Sequence, residues 1–213
     1  MNKILVAIAV LAVSAVGAEA NAAVTFKFSN PSGNLGVSHT YTVSGLSIIA
    51  KGFDQNNNPT ALWGKNGGGN EDGLGLANDD TGDHEIEYLK GFVQLDVSGL
   101  FKKVVAGSTK FATNSTTQGE EWAVFGSNIS GSYSAANQVA HGTTQLETIL
   151  PFFGKWKYYD FAEIHKRKGD NFLIADVTTT RSVGVPEPAT WAMMIVGFGL
   201  VGSVARSRRV AKA

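Results

Sequence analysis

Apolar and polar positions alternate with a period of two along the middle of the chain. Val24, Phe26 and Phe28 alternate with Thr25, Lys27 and Ser29, and Val93, Leu95 and Val97 alternate with Gln94, Asp96 and Ser98. That period sends every second side chain to one face of an extended backbone, so both segments read as half-buried β-strands. Tyr41 and Val43 continue the pattern, and Gly45 permits a change of phase to Leu46 and Ile48 at a bulge or bend. Further strands are expected from Trp122 to Phe125, from Trp156 to Phe161 and from Phe172 to Val177, separated by loops rich in Gly, Asn, Ser and Thr. No long stripe of helical period competes. Short strands with frequent turn signals predict an all-β fold, an antiparallel β-sandwich of jelly-roll-like type rather than a parallel α/β sheet.

Two continuous apolar runs break the alternation, one at each end. Lys3 precedes the run from Ile4 to Val13, and small residues follow. One positive charge, a short apolar core and small residues at the cleavage positions are the marks of a secretory signal peptide. Ala18-Glu19-Ala20 and Ala20-Asn21-Ala22 both satisfy the cleavage rule; the second is preferred, which makes 1–22 the signal peptide, removed by signal peptidase, and starts the mature chain at Ala23. At the other end, Ala189 to Ala205 carries no charge. As a helix it would reach roughly 25 Å, near the lower limit for crossing a hydrocarbon core of about 30 Å, so one short, marginal membrane span is expected. Arg206, Arg208 and Arg209 follow it and are held on the cytoplasmic side by the positive-inside preference, with Trp191 at the opposite interface. Pro186 and Pro188 keep the residues before the span out of a regular helix, leaving an extended stretch that a protease can read.

The order of those features resembles the PEP-CTERM sorting signal of Gram-negative bacteria, in the variant with Trp-Ala after two intervening positions. It reads Val185-Pro186-Glu187-Pro188-Ala189-Thr190-Trp191-Ala192, then an apolar span containing Gly197-Phe198-Gly199, then the arginine cluster. The resemblance implies recognition of Pro186, Glu187 and Pro188 by an exosortase, a membrane cysteine protease or transpeptidase. It further implies passage through the inner membrane as an intermediate and delivery to the cell surface or to extracellular polysaccharide. Three regions are then expected: the signal peptide, a β-sandwich ectodomain over 23–180, and the linker, motif, span and basic tail over 181–213. Gly197, Gly199 and Gly202 have the spacing of a dinucleotide-binding fingerprint but lack the strand before it and the acidic residue beyond it.

Composition narrows the partners of the central region. The chain has 18 basic and 18 acidic side chains and no cysteine. Balanced charge gives no reason to expect nucleic acid. Without cysteine there are no disulfides, thiol nucleophiles or cysteine zinc sites. The stretch from Asn66 to Glu87 collects seven carboxylates among many glycines. Glycines allow tight turns and carboxylates are the hard ligands calcium prefers, so calcium is the one candidate cofactor, with Asp72, Asp80, Asp83 and Glu85 as its ligands. The ligand order is not that of an EF-hand, and a solvated polar loop explains the same residues. The run from Gly73 to Leu76, the acidic turn and the strand from Phe92 to Val97 also resemble, loosely, the β-sandwich ectodomains of PEP-CTERM surface proteins.

Catalytic signatures are missing from the pattern. His84-Glu85 opens like a zinc protease motif, but Tyr88 stands where the second histidine must return. No Gly-x-Ser-x-Gly elbow occurs, and a non-enzymatic protein is expected. The segment Trp156-Lys157-Tyr158-Tyr159-Asp160-Phe161, with Lys166-Arg167-Lys168 beyond it, offers flat apolar rings and positive charge. Trp156, Tyr158 and Tyr159 are therefore the candidate contacts for extracellular polysaccharide. Alternation along a strand would instead bury one set of these rings. The sequence thus expects a structural or adhesive surface protein first, a carbohydrate- or calcium-binding module second, and a secreted glycan hydrolase third.

Overall fold

The computed structural model describes residues 20–68, 71–80, 82–101, 109–114, 121–143, 147–150, 155–164 and 170–183. The sorting motif, the apolar run after it, residues 1–19 of the expected signal peptide and Lys166 to Lys168 lie outside the described residues. Nearly everything described belongs to one unit, Asn21–Ser182. Its first strands are β1 (Ala20–Lys27), β2 (Gly33–Gly36), β3 (Ser38–Val43), β4 (Leu46–Asp54), β5 (Pro59–Thr60), β6 (Leu62–Asn66) and β7 (Asp72–Leu76). There follow β8 (Ile86–Glu87), β9 (Gly91–Asp96), β10 (Thr109–Asn114), β11 (Glu121–Ser127), β12 (Gln138–Thr143), β13 (Glu147–Leu150), β14 (Tyr158–Glu163) and β15 (Asn171–Val183).

These strands form two sheets, so the fold is the all-β sandwich that the alternation predicts. One sheet runs β13-β10-β15-β7-β6-β2, with β1 and β8 also paired to β15; the other runs β12-β11-β14-β9-β4-β3, with β5 paired to β4. All the strand pairs given are antiparallel. The change of phase after Val43 is a hairpin turn rather than a bulge. Ser44 and Gly45 both take positive φ, 51° and 74°, the conformation that a two-residue turn needs to match strand twist, and β3 then pairs with β4 in unbroken register from Val43 with Leu46 to Ser38 with Lys51. β14 begins two residues later than expected, at Tyr158.

The core lies between the sheets. Val93, Leu95 and Val97, Tyr159 and Phe161, Trp122 and Val124, and Leu46, Ile48 and Ala50 come from the second sheet. Phe26, Phe28, Leu62, Leu74, Leu76, Phe172, Ile174 and Val177 come from the segments of the first. In the second sheet, however, the alternate residues are not all solvated. Phe53, Phe92, Ala123, Phe125 and Ala162 form a separate buried cluster on its outer face. A loop accounts for this: residues 128–134 fold back over that face, and Gly131, at φ 76°, comes so close to the Phe53 ring that an added Cβ would sit 2.8 Å from it.

Candidate functional site

Strand register aligns three rows of side chains on the outer face of the second sheet. Ala123, Ala162, Phe92 and Phe53 form one row across β11, β14, β9 and β4; Phe125, Asp160, Gln94 and Lys51 form the next; Ser127, Tyr158, Asp96 and Ile49 form the third. The middle row carries the chemistry. Asp160 is 0% exposed; its Oδ1 accepts a hydrogen bond from Gln94 Nε2 at 2.7 Å, while its Oδ2 is buried without a hydrogen-bond partner. Burial pushes its carboxyl up to about 7, against the lowering effect of the Gln94 bond. Gln94 Oε1 in turn accepts from Ser130 Oγ at 3.0 Å and from the Gly131 backbone N–H at 3.2 Å, and Lys51 Nζ donates to Ser130 Oγ at 3.1 Å. The roof loop is therefore pinned to the sheet through one amide side chain that joins it to a buried acid.

Tyr133 ends this roof. Its ring stacks on Phe125, with centroids 4.7 Å apart, and meets Phe92 edge-on at 4.9 Å. Burial, then the negative charge of Asp160 and the neighbouring Tyr88, raise its phenol above the usual range. Sequence reasoning missed Gln94 as the hydrogen-bond partner of Asp160, and Ser130 and Tyr133 on the loop that covers them. The one local signal was a charged residue inside the apolar run Tyr158-Tyr159-Asp160-Phe161.

Of the three expected sugar contacts, the structure separates each from the others. Tyr159 is 1% exposed and packs in the core between the sheets, so its ring is out of a ligand's reach. Tyr158 points the other way, to the outer face, where Lys157 and Lys51 lie over its ring at 4.8 and 5.6 Å from the centroid. Trp156 precedes the strand and lies flat on Gly126, where an added Cβ would fall 2.2 Å from its ring; its buried Nε1 has no hydrogen-bond partner. These residues do not form a common aromatic platform.

The acidic segment covers the outer face of the first sheet instead. Gly75 of β7 is packed beneath the backbone of His84 and Glu85, with room for no side chain: a Cβ there would lie 2.1 Å from the His84 carbonyl oxygen. His84, at φ 61°, stacks on Trp63 of β6 at 3.8 Å, and its backbone N–H donates to Asp79 Oδ2 at 2.8 Å. Glu85 is 6% exposed and pairs with Lys65 Nζ at 2.5 Å, and the same lysine also pairs with Glu71. Burial pushes Glu85 up to about 7 although Lys65 opposes it. Burial alone would lower Lys65, and its two carboxylates outweigh that and raise it. Of the remaining expected calcium ligands, Asp80 pairs with Lys90 at 2.7 Å, Asp72 Oδ1 accepts from the Gly68 N–H at 2.8 Å, and Asp83 is exposed. Among the described residues no three His, Asp or Glu side chains are grouped to hold a metal ion, and no helix is long and apolar enough to cross a membrane.

Comparison with known proteins identifies the chain's C-terminal signal. Residues 184–209 match the family described as the PEP-CTERM protein-sorting motif. The protein is thus an all-β sandwich carrying a PEP-CTERM sorting motif, which marks it for export and for sorting towards the cell surface. No curated protein matches the chain. Similar solved structures include a variant of a family 29 carbohydrate-binding module, at 16% identity and a TM-score of 0.32, covering 76% of this chain and 92% of that one. Another variant, complexed with mannohexaose, has 14% identity and a TM-score of 0.33 over 76% and 92% of the two chains. A third, complexed with cellulohexaose, has 18% identity and a TM-score of 0.32 over 75% and 91%. Likenesses of that size do not say what this chain binds.

Proposed function

We propose that this protein is a non-enzymatic component of the cell surface or extracellular matrix. An exosortase reads Pro186, Glu187 and Pro188, and the β-sandwich is the body it delivers, serving a structural or adhesive role beside extracellular polysaccharide. The observation that carries this reading is the sorting motif at 184–209, which directly follows β15, the last described strand of the sandwich. The body suits such a role physically. Both outer faces are partly covered by loops of the same chain, held down by the hydrogen bonds of Gln94 to Ser130 and Gly131 on one and by the ion pair of Lys65 with Glu85 on the other.

The test is the intact mass of the protein recovered from the medium and outer surface of its native cells, with wild type compared with Pro186→Ala plus Glu187→Ala. The expected wild-type product ends near Pro188, and the double variant stays at full length in the inner membrane. If both keep Trp191 to Ala213 and remain in the inner membrane, the segment is a plain anchor and the proposal fails.

A further inference from the structure

The second sheet ends at β3, and the outer edge of that strand is open. Val37 accepts a backbone hydrogen bond from the Gly52 N–H, so by alternation the backbone groups of His39, Tyr41 and Val43 also face β4, opposite Ala50, Ile48 and Leu46. The N–H and C=O groups of Ser38, Thr40 and Thr42 therefore point out of the sheet. All three residues are exposed, and among the described residues no strand pairs with them on that side. A groove of about 420 Å³ runs alongside, lined by β3 from His39 to Val43 and, across from it, by Thr25, Phe26 and Lys27 of β1.

Open strand edges are usually blunted by shortness, a lysine, a proline or a bulge. Other terminal strands of this sandwich follow the rule. β2 has four residues and its pairing with β6 shifts between Asn34 and Gly36, and the pairing of β12 with β11 shifts between Val124 and Phe125. β3 has none of these devices. Its six residues, Ser-His-Thr-Tyr-Thr-Val, include no lysine, arginine, acid or proline, and they pair with β4 without a break. At its start Val37 is 52% exposed, apolar surface that this chain leaves in solvent beside the open edge.

We infer that β3 is a pairing edge for a second copy of this chain, the two strands running antiparallel about a twofold axis at Thr40 so that the second sheets of both copies become one. The register follows from the free groups. With Thr40 opposite Thr40 of the second copy, Ser38 stands opposite Thr42 and Thr42 opposite Ser38, and each pair exchanges N–H···O bonds in both directions. The side chains facing one another across the seam on the outer face are then all hydroxyls, a favoured cross-strand pairing. The same register brings the exposed Val37 opposite Val43 at both ends of the seam. Tyr41 stays in its own core, edge-on to Phe28 at 4.8 Å, so no buried ring has to move. With no lysine, arginine or acid from Val37 to Val43, nothing repels a like strand or selects a charged peptide in its place. A twofold seam consumes the open edge of both copies, so it closes at a pair instead of growing a fibre. The inference goes beyond the structural or adhesive reading above and rests on it only for the setting in which copies meet.

The experiment is disulfide trapping under air on the full-length chain in detergent, which has no cysteine of its own. Facing Cα atoms of a hydrogen-bonded antiparallel pair lie about 5.5 Å apart, within disulfide reach, so Thr40→Cys is expected to form a linked pair about tenfold more than Asn56→Cys. Asn56 is exposed in a turn, and every variant carries the same C-terminal run, so association through that run raises them all alike. Ser38→Cys is expected to link to Thr42→Cys and not to itself. Hydrogen exchange gives a second readout: the Ser38 and Thr42 amides are expected to be protected in wild type at high concentration and to lose that protection on dilution. Thr40→Lys and Thr40→Glu each set like charges on the axis and should abolish it, and an equal mixture of the two should restore it. All these positions are exposed, and circular dichroism confirms that the sandwich is folded. Linking of Thr40→Cys no stronger than the control, self-linking of Ser38→Cys as strong as its linking to Thr42→Cys, or amides equally protected at every dilution overturns the inference. The last result would mean that the same chain or an unlike partner fills the edge. Processing at Pro186 to Pro188 is read separately by mass, so a chain that is cleaved and exported but does not pair refutes the pairing alone.

Discussion

Substitution of Asp160 by Asn should change how stability depends on pH, and the size of the change follows from its burial. The carboxyl is held at about 7 instead of its ordinary 3.8. At about 1.4 kcal/mol per pH unit, the folded state disfavours the ionised form by about 4 kcal/mol. The sign is that of an acid whose folded pKa lies above its unfolded one. Between those two values the folded chain binds more protons than the unfolded chain, so stability is greatest below about pH 4 and falls as pH rises to about 7. In Asp160→Asn the amide oxygen still accepts from Gln94, and no charge is buried at any pH. The amide nitrogen takes the place of an oxygen that has no partner, and an unmet buried donor costs about 1–3 kcal/mol. The variant is therefore expected to be more stable than wild type by about 1–3 kcal/mol at pH 8 and no more stable at pH 4. Urea unfolding at half-unit steps from pH 4 to 8 measures it, and comparison with wild type removes the parallel contribution of Glu85, which has the same sign. Parallel curves for the two proteins would refute the reasoning, since they would mean that Asp160 is not the titrating group or is not dry.

Two further substitutions test the packing. Gly75→Ala places a methyl group against the backbone of His84 and Glu85, which cannot rotate away as a side chain would. It is expected to cost about 3 kcal/mol in urea unfolding and to change tryptophan emission by disturbing the Trp63–His84 stack. Phe161→Ala empties a fully buried position between Val93 and Val124 and should cost about 3–5 kcal/mol with an unchanged urea slope; a loss below about 1 kcal/mol would show that the sheets do not pack through it.

Part of the candidate site was legible in the sequence. Asp160 and Tyr158 stand within the aromatic segment that composition singles out, and Glu85 within the acidic one. Their partners were not legible. Gln94 is 66 residues from Asp160, and Lys65 is 20 from Glu85. Alternation says that Tyr158 and Tyr159 face opposite ways, and without the second sheet it does not say which of them faces the core.

The sequence by itself determined the strands, because a period of two is a local property of a chain that must bury one face. It also determined the sorting address, because Pro186-Glu187-Pro188, the uncharged run and the arginines form a linear signal. Only the tertiary structure decided that much of the outer face of the second sheet is buried, that Gln94 fastens a loop over Asp160, and that Tyr133 of that loop packs on Phe92 and Phe125. Those relations depend on register between distant strands and on where a loop comes to rest. Both are set by the sum of long-range contacts, and no local pattern of residues encodes them.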